Sequence, residues 1–241
     1  CIVKTILITG ATSGIGKALA IHAAKEGYRV IACGRNKDAL DELSSNSNID
    51  ACQFDVTDLE DARRALSAVK FDIAVLNAGT CEYVDIDNFE PDMFRRVFEP
   101  NFFGVVNCVD ALLPKLQQGD KLVIVDSMAR LLPFTKSQAY GASKAALHYF
   151  TKSLEVDLHH KGIKVQAVSP GFVETPLTDK NDFEMPMKIS AEEAAQAMLA
   201  GIENDKQTVF FPRIFGFILR FMHILPTLLQ KRISLSMRKK Q

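Results

Sequence analysis

Lys4-Thr5-Ile6-Leu7-Ile8-Thr9-Gly10-Ala11-Thr12-Ser13-Gly14-Ile15-Gly16 runs from a short apolar, β-branched segment through three glycines into a stretch of helical periodicity. A strand that turns sharply into a helix opens a βαβ unit, and each glycine has a separate task there. Gly10 permits the tight turn, Gly14 lets backbone approach a pyrophosphate, and Gly16 allows the helix to pack closely. The first helical residues carry N–H groups without intrahelical partners, which suits an anion. Thr12, Ser13 and Ile15 complete this candidate dinucleotide loop. Taken alone, the turn is equally compatible with a glycine-rich corner that holds nothing. Its Gly-x-x-x-Gly-x-Gly spacing lacks the Gly-Lys-Ser/Thr ending of a nucleoside triphosphatase loop, so phosphoryl transfer is disfavoured.

Beyond the loop the same alternation continues. β-branched runs at 4–9, 29–33, 50–54, 71–76, 121–125, 164–168 and 208–211 read as strands. Helical periodicity fills 14–26, 38–44, 58–68, 101–117, 138–160 and 191–203, the last opened by Ser190 with Glu193 at capping-box spacing. Strands alternating with helices predict an α/β fold: a single Rossmann-type doubly wound parallel sheet of about seven strands with helices on both faces. Residues 1–211 form that domain, and residues 212–241 form a basic amphipathic extension with helices of its own.

The second strand ends Cys33-Gly34-Arg35-Asn36, about where a dinucleotide's adenosine ribose would lie. No carboxylate stands there to take a free 2′-hydroxyl, whereas Gly34 leaves room and the Arg35 guanidinium suits a 2′-phosphate. NADP(H) is therefore expected over NAD(H); the competing reading is a solvated surface arginine.

Carbonyl reduction needs a proton donor at the carbonyl oxygen and dipoles that stabilise the charge developing there. Tyr140 and Lys144 lie four residues apart in a predicted helix, so they share a face, and the ammonium should favour the phenolate of a group whose ordinary pKa is about 10. Ser127 follows a buried strand at the sheet's carboxyl edge, where open α/β folds place ligands.

Together these residues carry a resemblance. The chain is similar to the short-chain dehydrogenase/reductase family over about residues 4–211: the glycine loop, Asn77-Ala78-Gly79 after the fourth strand, Asn101, Ser127, Tyr140-x-x-x-Lys144, and Pro170-Gly171 followed by Thr175. The resemblance implies a catalytic set of Asn101, Ser127, Tyr140 and Lys144, with Lys144 also bonding the nicotinamide ribose and Asn101 anchoring a water of a proton relay. It places Asp55 and Val56 at the adenine, Asn77, Ala78 and Gly79 under the adenine ribose, and Pro170, Gly171, Val173 and Thr175 on the nicotinamide side. It also implies pairing into a homodimer or homotetramer through the long fourth and fifth crossover helices. The chain departs from the usual pattern at Asp126, where many members carry a second serine, and at Pro100, which should strain or begin a helix at Asn101.

The expected substrate surroundings are Cys81, Glu82 and Tyr83, the segment Met128–Phe134, and the loop Phe172–Met187. Leu131, Leu132, Pro133, Phe134, Phe172, Phe183, Met185 and Met187 make these largely apolar. A lipophilic aldehyde, ketone or secondary alcohol is the expected substrate; the alternative is that several of these residues only pack a lid. Arg130 either holds an anionic head group or, the favoured reading, faces solvent.

The 241 residues hold 29 basic and 29 acidic side chains, 47% hydrophobic and 24% charged content, ordinary globular values that exclude disorder and collagen. Five scattered cysteines without a Cys-x-x-Cys pair read as reduced thiols, with no metal site expected. The apolar run at residues 2–8 is too short for a signal peptide, so a cytoplasmic protein is expected. The zero net charge conceals a division: no acidic residue follows Asp205, so 21 basic against 29 acidic side chains leave a net −8 before Lys206, and the last 36 residues carry +8. In the tail, Arg213, Gly216, Arg220 and His223 fall on one helical face among large apolar residues, and Pro226 should end that helix. Arg220 and Pro226 interrupt any run long enough to span a bilayer. Peripheral association with the inner membrane surface is expected, with packing over the substrate cavity or against a second subunit as alternatives. Basic residues interleaved with large aliphatics are a poor phosphate track, so no nucleic acid is expected. The leading reading is an NADPH-dependent carbonyl reductase of lipophilic substrates, reversible as an alcohol dehydrogenase. Its rival is a catalytically vestigial cofactor sensor that contacts a partner through its tail.

Overall fold

The computed structural model describes residues 2–181 and 184–238. Seven parallel strands form one sheet in the order β3-β2-β1-β4-β5-β6-β7: β1 Thr5–Ile8, β2 Arg29–Gly34, β3 Ile49–Gln53, β4 Ile73–Leu76, β5 Lys121–Val125, β6 Lys164–Pro170 and β7 Thr208–Phe211. The crossovers are α1 Gly14–Lys25, α2 Lys37–Ser44, α3 Leu59–Leu66, α4 Pro91–Phe98, α5 Gly104–Leu112, α6 Gln138–Leu158 and α7 Ala191–Glu203. This is the doubly wound Rossmann-type architecture expected. β1 pairs with both β2 and β4, so the winding reverses beside it and the carboxyl ends of β1 and β4 flank the resulting crevice.

Alternation along β1 shows why the sheet is covered on both faces. Ile6 and Ile8 belong to one core with Leu19 and Ala23 of α1 and Ala194 and Met198 of α7. Leu7 points the opposite way, into a core with Leu66 of α3, Cys108 and Leu112 of α5 and Leu147 of α6. All three β1 residues are buried completely. Serine and glutamate open α7 as anticipated: Ser190 Oγ accepts the Glu193 N–H at 3.1 Å and the Glu193 carboxylate accepts the Ser190 N–H at 2.9 Å.

Two departures from the expected elements bear on the site. The helix predicted over 101–117 begins earlier and is interrupted. Pro91 starts α4, a π-helical turn spans Glu99–Phe103, α5 follows, and a short 3₁₀ turn Leu113–Lys115 containing Pro114 closes the segment. Pro100 has no N–H to donate, and the wider turn accommodates it without ending the helix, carrying Asn101 to full burial. The tail forms two helices, α8 Arg213–His223 and α9 Thr227–Met237, separated at Pro226. Of the expected face, Arg213, Arg220 and His223 are exposed, while Gly216 is buried against Phe210. The Arg220 guanidinium lies 4.7 Å from the Phe210 ring centre, and His223 Nδ1 lies 2.8 Å from the Leu131 carbonyl oxygen. Phe215 and Leu219 turn inward and form a third core with Met128, Leu131 and Leu132. Among the described residues no helix is long and apolar enough to cross a membrane, and Cys33, Cys52, Cys81 and Cys108 are free thiols.

Candidate active site

The turn after β1 is a cradle that only glycine can form. Gly10 and Gly14 have φ of +64° and +56°, and a Cβ on Gly10 would lie 2.8 Å from the Ala78 Cα. A Cβ on Gly16 would lie 2.1 Å from the Gly10 carbonyl oxygen, so the helix start is pressed onto the turn itself. Ser13 occupies the N-cap of α1 but its side chain caps nothing, and no acidic residue stands in the first turn. The N-terminal N–H groups of α1 thus keep their capacity for an external anion. Among the described residues no group of three or more His, Cys, Asp or Glu side chains is placed to hold a metal ion.

The other candidate cofactor residues gather along the same sheet edge, with differing engagement. Asn77 Nδ2 donates to the carbonyls of Thr9 and Gly10 at 3.3 and 3.4 Å, bracing the cradle. Gly34 abuts Thr12, whose Cγ2 would lie 2.5 Å from a Cβ there. The exposed Arg35 side chain beyond it makes no ion pair among the described residues. Thr175 sits over Gly14, its Cβ 3.4 Å from where a Gly14 Cβ would be. Pro170 ends β6, the Gly171 N–H donates to the Phe211 carbonyl at 2.9 Å, and Val173 bridges to Ile189. Three candidates already have local work. The Asn36 side chain caps α2 by accepting the Ala39 N–H at 3.1 Å. Asp55 Oδ1 accepts from the Thr57 N–H and hydroxyl at 2.9 and 2.8 Å. Val56 packs against Gly104.

Across the crevice, Ser127, Tyr140, Lys144 and Asn101 converge. Ser127 follows β5, and its Oγ accepts the Ala129 N–H at 3.1 Å, which fixes the turn. The Ser127 hydroxyl faces the Tyr140 phenol and favours its ionised form. Lys144, one helical turn beyond Tyr140, donates to the Val125 carbonyl at 3.2 Å and holds its Nζ 5.8 Å from the centre of the Tyr140 ring. Gly79 is where Asn101 and Lys144 meet: a Cβ there would lie 2.9 Å from Asn101 Oδ1 and 3.5 Å from Lys144 Nζ. The Asn101 amide is clamped, accepting the Thr80 N–H at 2.7 Å and donating to the Thr80 carbonyl at 2.9 Å and Ser143 Oγ at 3.0 Å.

This arrangement has relatives. A model of the short chain dehydrogenase family matches residues 4–185. The chain belongs to the short-chain dehydrogenase/reductase family. It is 33% identical over 235 residues to an uncharacterized oxidoreductase of Myxococcus xanthus, covering 92% of this chain and 93% of the relative. It is 36% identical over 208 residues to a 3beta-hydroxysteroid dehydrogenase of Mediterraneibacter gnavus, covering 80% of this chain and 74% of that one. Among solved structures it is similar to a short chain dehydrogenase from Burkholderia cenocepacia in complex with NADP, with a TM-score of 0.86, 25% identity, and coverage of 96% of this chain and 97% of that one. The protein is accordingly an oxidoreductase of a family acting on CH–OH and C=O groups.

The apolar segment after Ser127 packs on one side beneath the C-terminal helices. Leu131 and Leu132, with Phe134 and Phe172 against them, pack into the core under α8. Cys81, Tyr83 and Asn181 lie together near Tyr140, and burial pushes the Cys81 thiol and the Tyr83 phenol up. Phe183 lies outside the described residues.

The sequence reading also missed a buried ionic cluster directly beneath Ser127. Asp126, with no exposed side chain, accepts from Ser169 Oγ at 2.5 Å and from Arg130 Nε at 3.4 Å, and its other oxygen lies 2.8 Å from His148 Nδ1. Arg130 therefore turns inward rather than to solvent, because a buried carboxylate without a cation would be strongly destabilising. Spacing offered a signal that went unused: Arg130 is four residues from Asp126, and His148 is four from Lys144 on the same helix.

Burial outweighs proximity in setting the protonation of the pair. The Tyr140 phenol is pushed above its ordinary range chiefly by desolvation, with the facing Ser127 hydroxyl opposing. That reverses the expected stabilisation of phenolate in the protein alone, because Lys144 is itself desolvated and its ammonium is pushed down from 10.5 to about 8. Below pH 8 the ammonium is charged in the folded and unfolded chain alike, so its desolvation cost is fully present. Above 10.5 it is neutral in both and the cost is gone. The stability of the wild type relative to Lys144→Met therefore rises with pH between about 8 and 10.5. The expected gain is on the order of 2–3 kcal/mol, read from urea unfolding across that range; the lost bond to Val125 adds only a pH-independent offset.

Proposed function

We propose that this dehydrogenase is an NADPH-dependent reductase of lipophilic aldehydes or ketones, running in reverse as an alcohol oxidation, with Tyr140 as general acid and base. The observation that carries the reading is the juxtaposition of Ser127, Tyr140 and Lys144, with Lys144 Nζ 5.8 Å from the Tyr140 ring centre, on the sheet edge that also carries the open N-terminus of α1.

The residues present fit a dinucleotide. The cradle Gly10–Gly16 with Thr12 and Ser13 would hold its diphosphate, Asn77–Gly79 its adenine ribose, Lys144 its second ribose, and Thr175 with Val173 the far end. When bound as NADPH, the cofactor supplies the hydride. The Ser127 hydroxyl orients the substrate oxygen and donates a hydrogen bond to the charge growing there. Tyr140 gives that oxygen its proton, and a phenol held neutral by burial is in the correct state to do so at neutral pH. Lys144 then restores the proton. Asn101, whose amide donors are used by Thr80 and Ser143, is a positioning residue that holds the Gly79–Thr80 turn against Lys144. A water between Asn101 and Lys144 would have the second lone pair of Oδ1 available to it.

Arg35 beyond β2, with no carboxylate beside it, supports NADP(H), as does the NADP complex of the Burkholderia cenocepacia relative. The hydroxysteroid named for the Mediterraneibacter gnavus relative is a lipophilic secondary alcohol, which supports that substrate class. Exposed Tyr149 and Val156 on α6 and Phe103 before α5 support pairing of subunits through these helices. Residues 212–241 lie against an anionic membrane surface on the cytoplasmic side. Ile214, Phe217, Phe221 and Ile224 make an exposed apolar stripe on α8, and Arg213 and Arg232 supply positive charge around it.

Tyr140→Phe is expected to lower carbonyl-dependent NADPH oxidation by at least about a thousandfold, while NADPH affinity measured by fluorescence stays within a few-fold. Arg35→Ala should reduce the NADPH-over-NADH ratio of kcat/KM by about tenfold or more; an unchanged ratio removes the arginine from cofactor choice. In flotation with anionic vesicles, the full chain should rise with the lipid and the Phe217→Ser/Phe221→Ser variant should not. Both side chains are exposed, so the substitution leaves the core intact.

A further inference from the structure

A second cavity, of about 640 Å³, lies between the loop after β5, the outer face of α6, and the α8–α9 pair. That volume is within the range of roughly 300–1,000 Å³ typical of small-molecule sites. It is separate from the crevice. Gln138, Gly141, Ala142 and Ala145 of α6 line it, whereas Ser127, Tyr140 and Lys144 do not.

The walls divide by chemistry. Leu132, Phe134 and Leu235 are apolar, Arg130, Lys231 and Arg238 are cationic, and no carboxylate is among the lining residues. Arg130 is the buried member, with its side chain only 9% exposed. Its bonds to Asp126 and Ser169, at 3.4 and 3.2 Å, are long for a guanidinium, and its remaining N–H donors are without partners among the described residues. Asp126 is shared with Ser169 and His148, so it compensates Arg130 only in part. On the opposite wall the Ser234 hydroxyl is sealed from solvent with no hydrogen-bond partner. The corner that closes the cavity is tied in place. His223 Nδ1 lies 2.8 Å from the Leu131 carbonyl oxygen, and Gln230 Nε2 donates to the carbonyls of His223 and Leu225 at 2.8 and 2.9 Å.

One buried, partly compensated cation with two exposed ones at the rim, beside an apolar wall, selects a ligand that carries negative charge at one end and hydrocarbon at the other. We propose that this cavity binds a single-chain anionic amphiphile. Its carboxylate or phosphate head is held by Arg130, Lys231 and Arg238, and its alkyl chain lies on Leu132, Phe134 and Leu235. The site is distinct from the exposed stripe of α8 and does not depend on the reading of the catalytic crevice.

Calorimetric titration of the full chain with dodecyl phosphate, dodecanol and inorganic phosphate, each below micelle formation, tests this. Dodecyl phosphate should bind at least about tenfold more tightly than either of the others, and Lys231→Gln/Arg238→Gln should weaken it about tenfold while NADPH affinity is unchanged. The Phe217→Ser/Phe221→Ser variant should keep wild-type affinity for dodecyl phosphate. No binding by the wild type overturns the proposal, as does equal binding of dodecanol or of inorganic phosphate. Insensitivity to the Lys231/Arg238 substitutions, or loss of binding in the Phe217/Phe221 variant, overturns it too.

Discussion

Thr9 Oγ1 accepts the N–H groups of both Asn77 and Ala78, at 2.9 and 3.1 Å, and through this one buried oxygen the turn after β1 is joined to the turn after β4. Parallel strands that diverge in their crossovers leave a gap at their carboxyl ends, and the backbone polar groups lining it must find partners. The Thr9 hydroxyl meets that need between the two turns, and the Asn77 amide meets it on the carbonyls of Thr9 and Gly10. Once the turns are locked, Gly10 and Gly16 have no room for a side chain, the start of α1 is held open toward the crevice, and Gly79 brings Asn101 and Lys144 to one point.

On the far side of that crevice the governing factor is low dielectric. Tyr140, Lys144, Asp126 and Arg130 all stand where charge is costly, and the protein answers with a chain of contacts rather than a single ion pair. Asp126 lies among Arg130, Ser169 and His148, and its field partly sustains the charge on Lys144. A serine at 126 would leave Arg130 buried without a counter-charge, so the departure from the usual family residue and the inward turn of Arg130 are two ends of one compensation. The electrostatic environment of the Ser127–Tyr140 pair is thereby linked to residues that line the second cavity.

The C-terminal helices couple to this region through packing. Phe215 and Leu219 of α8 complete the core begun by Met128, Leu131 and Leu132, the residues that immediately follow Ser127. The stacked Phe172 and Phe215 rings, 5.8 Å apart, add the loop after β6 to the same cluster. The segments that follow β5 and β6 therefore both rest on α8.

The sequence by itself determined the sheet and its strands. Local periodicity, the glycine spacing and the four-residue step from Tyr140 to Lys144 are short-range signals that survive in any context where the strand is buried and the helix forms. Ser190 with Glu193 is another such signal. Only tertiary structure decided the rest. Pro100 was compatible with a helix end, and the packing of α4, α5 and α6 around Asn101 made it a π turn instead. Arg130 looked like a surface cation. Asp126 and Ser169 turned it inward, since burial and charge compensation depend on which distant segments share a volume. The protonation of Tyr140 and Lys144 belongs to the same class: spacing places the two groups one turn apart, but how far each pKa moves is set by how much water the folded chain removes from both.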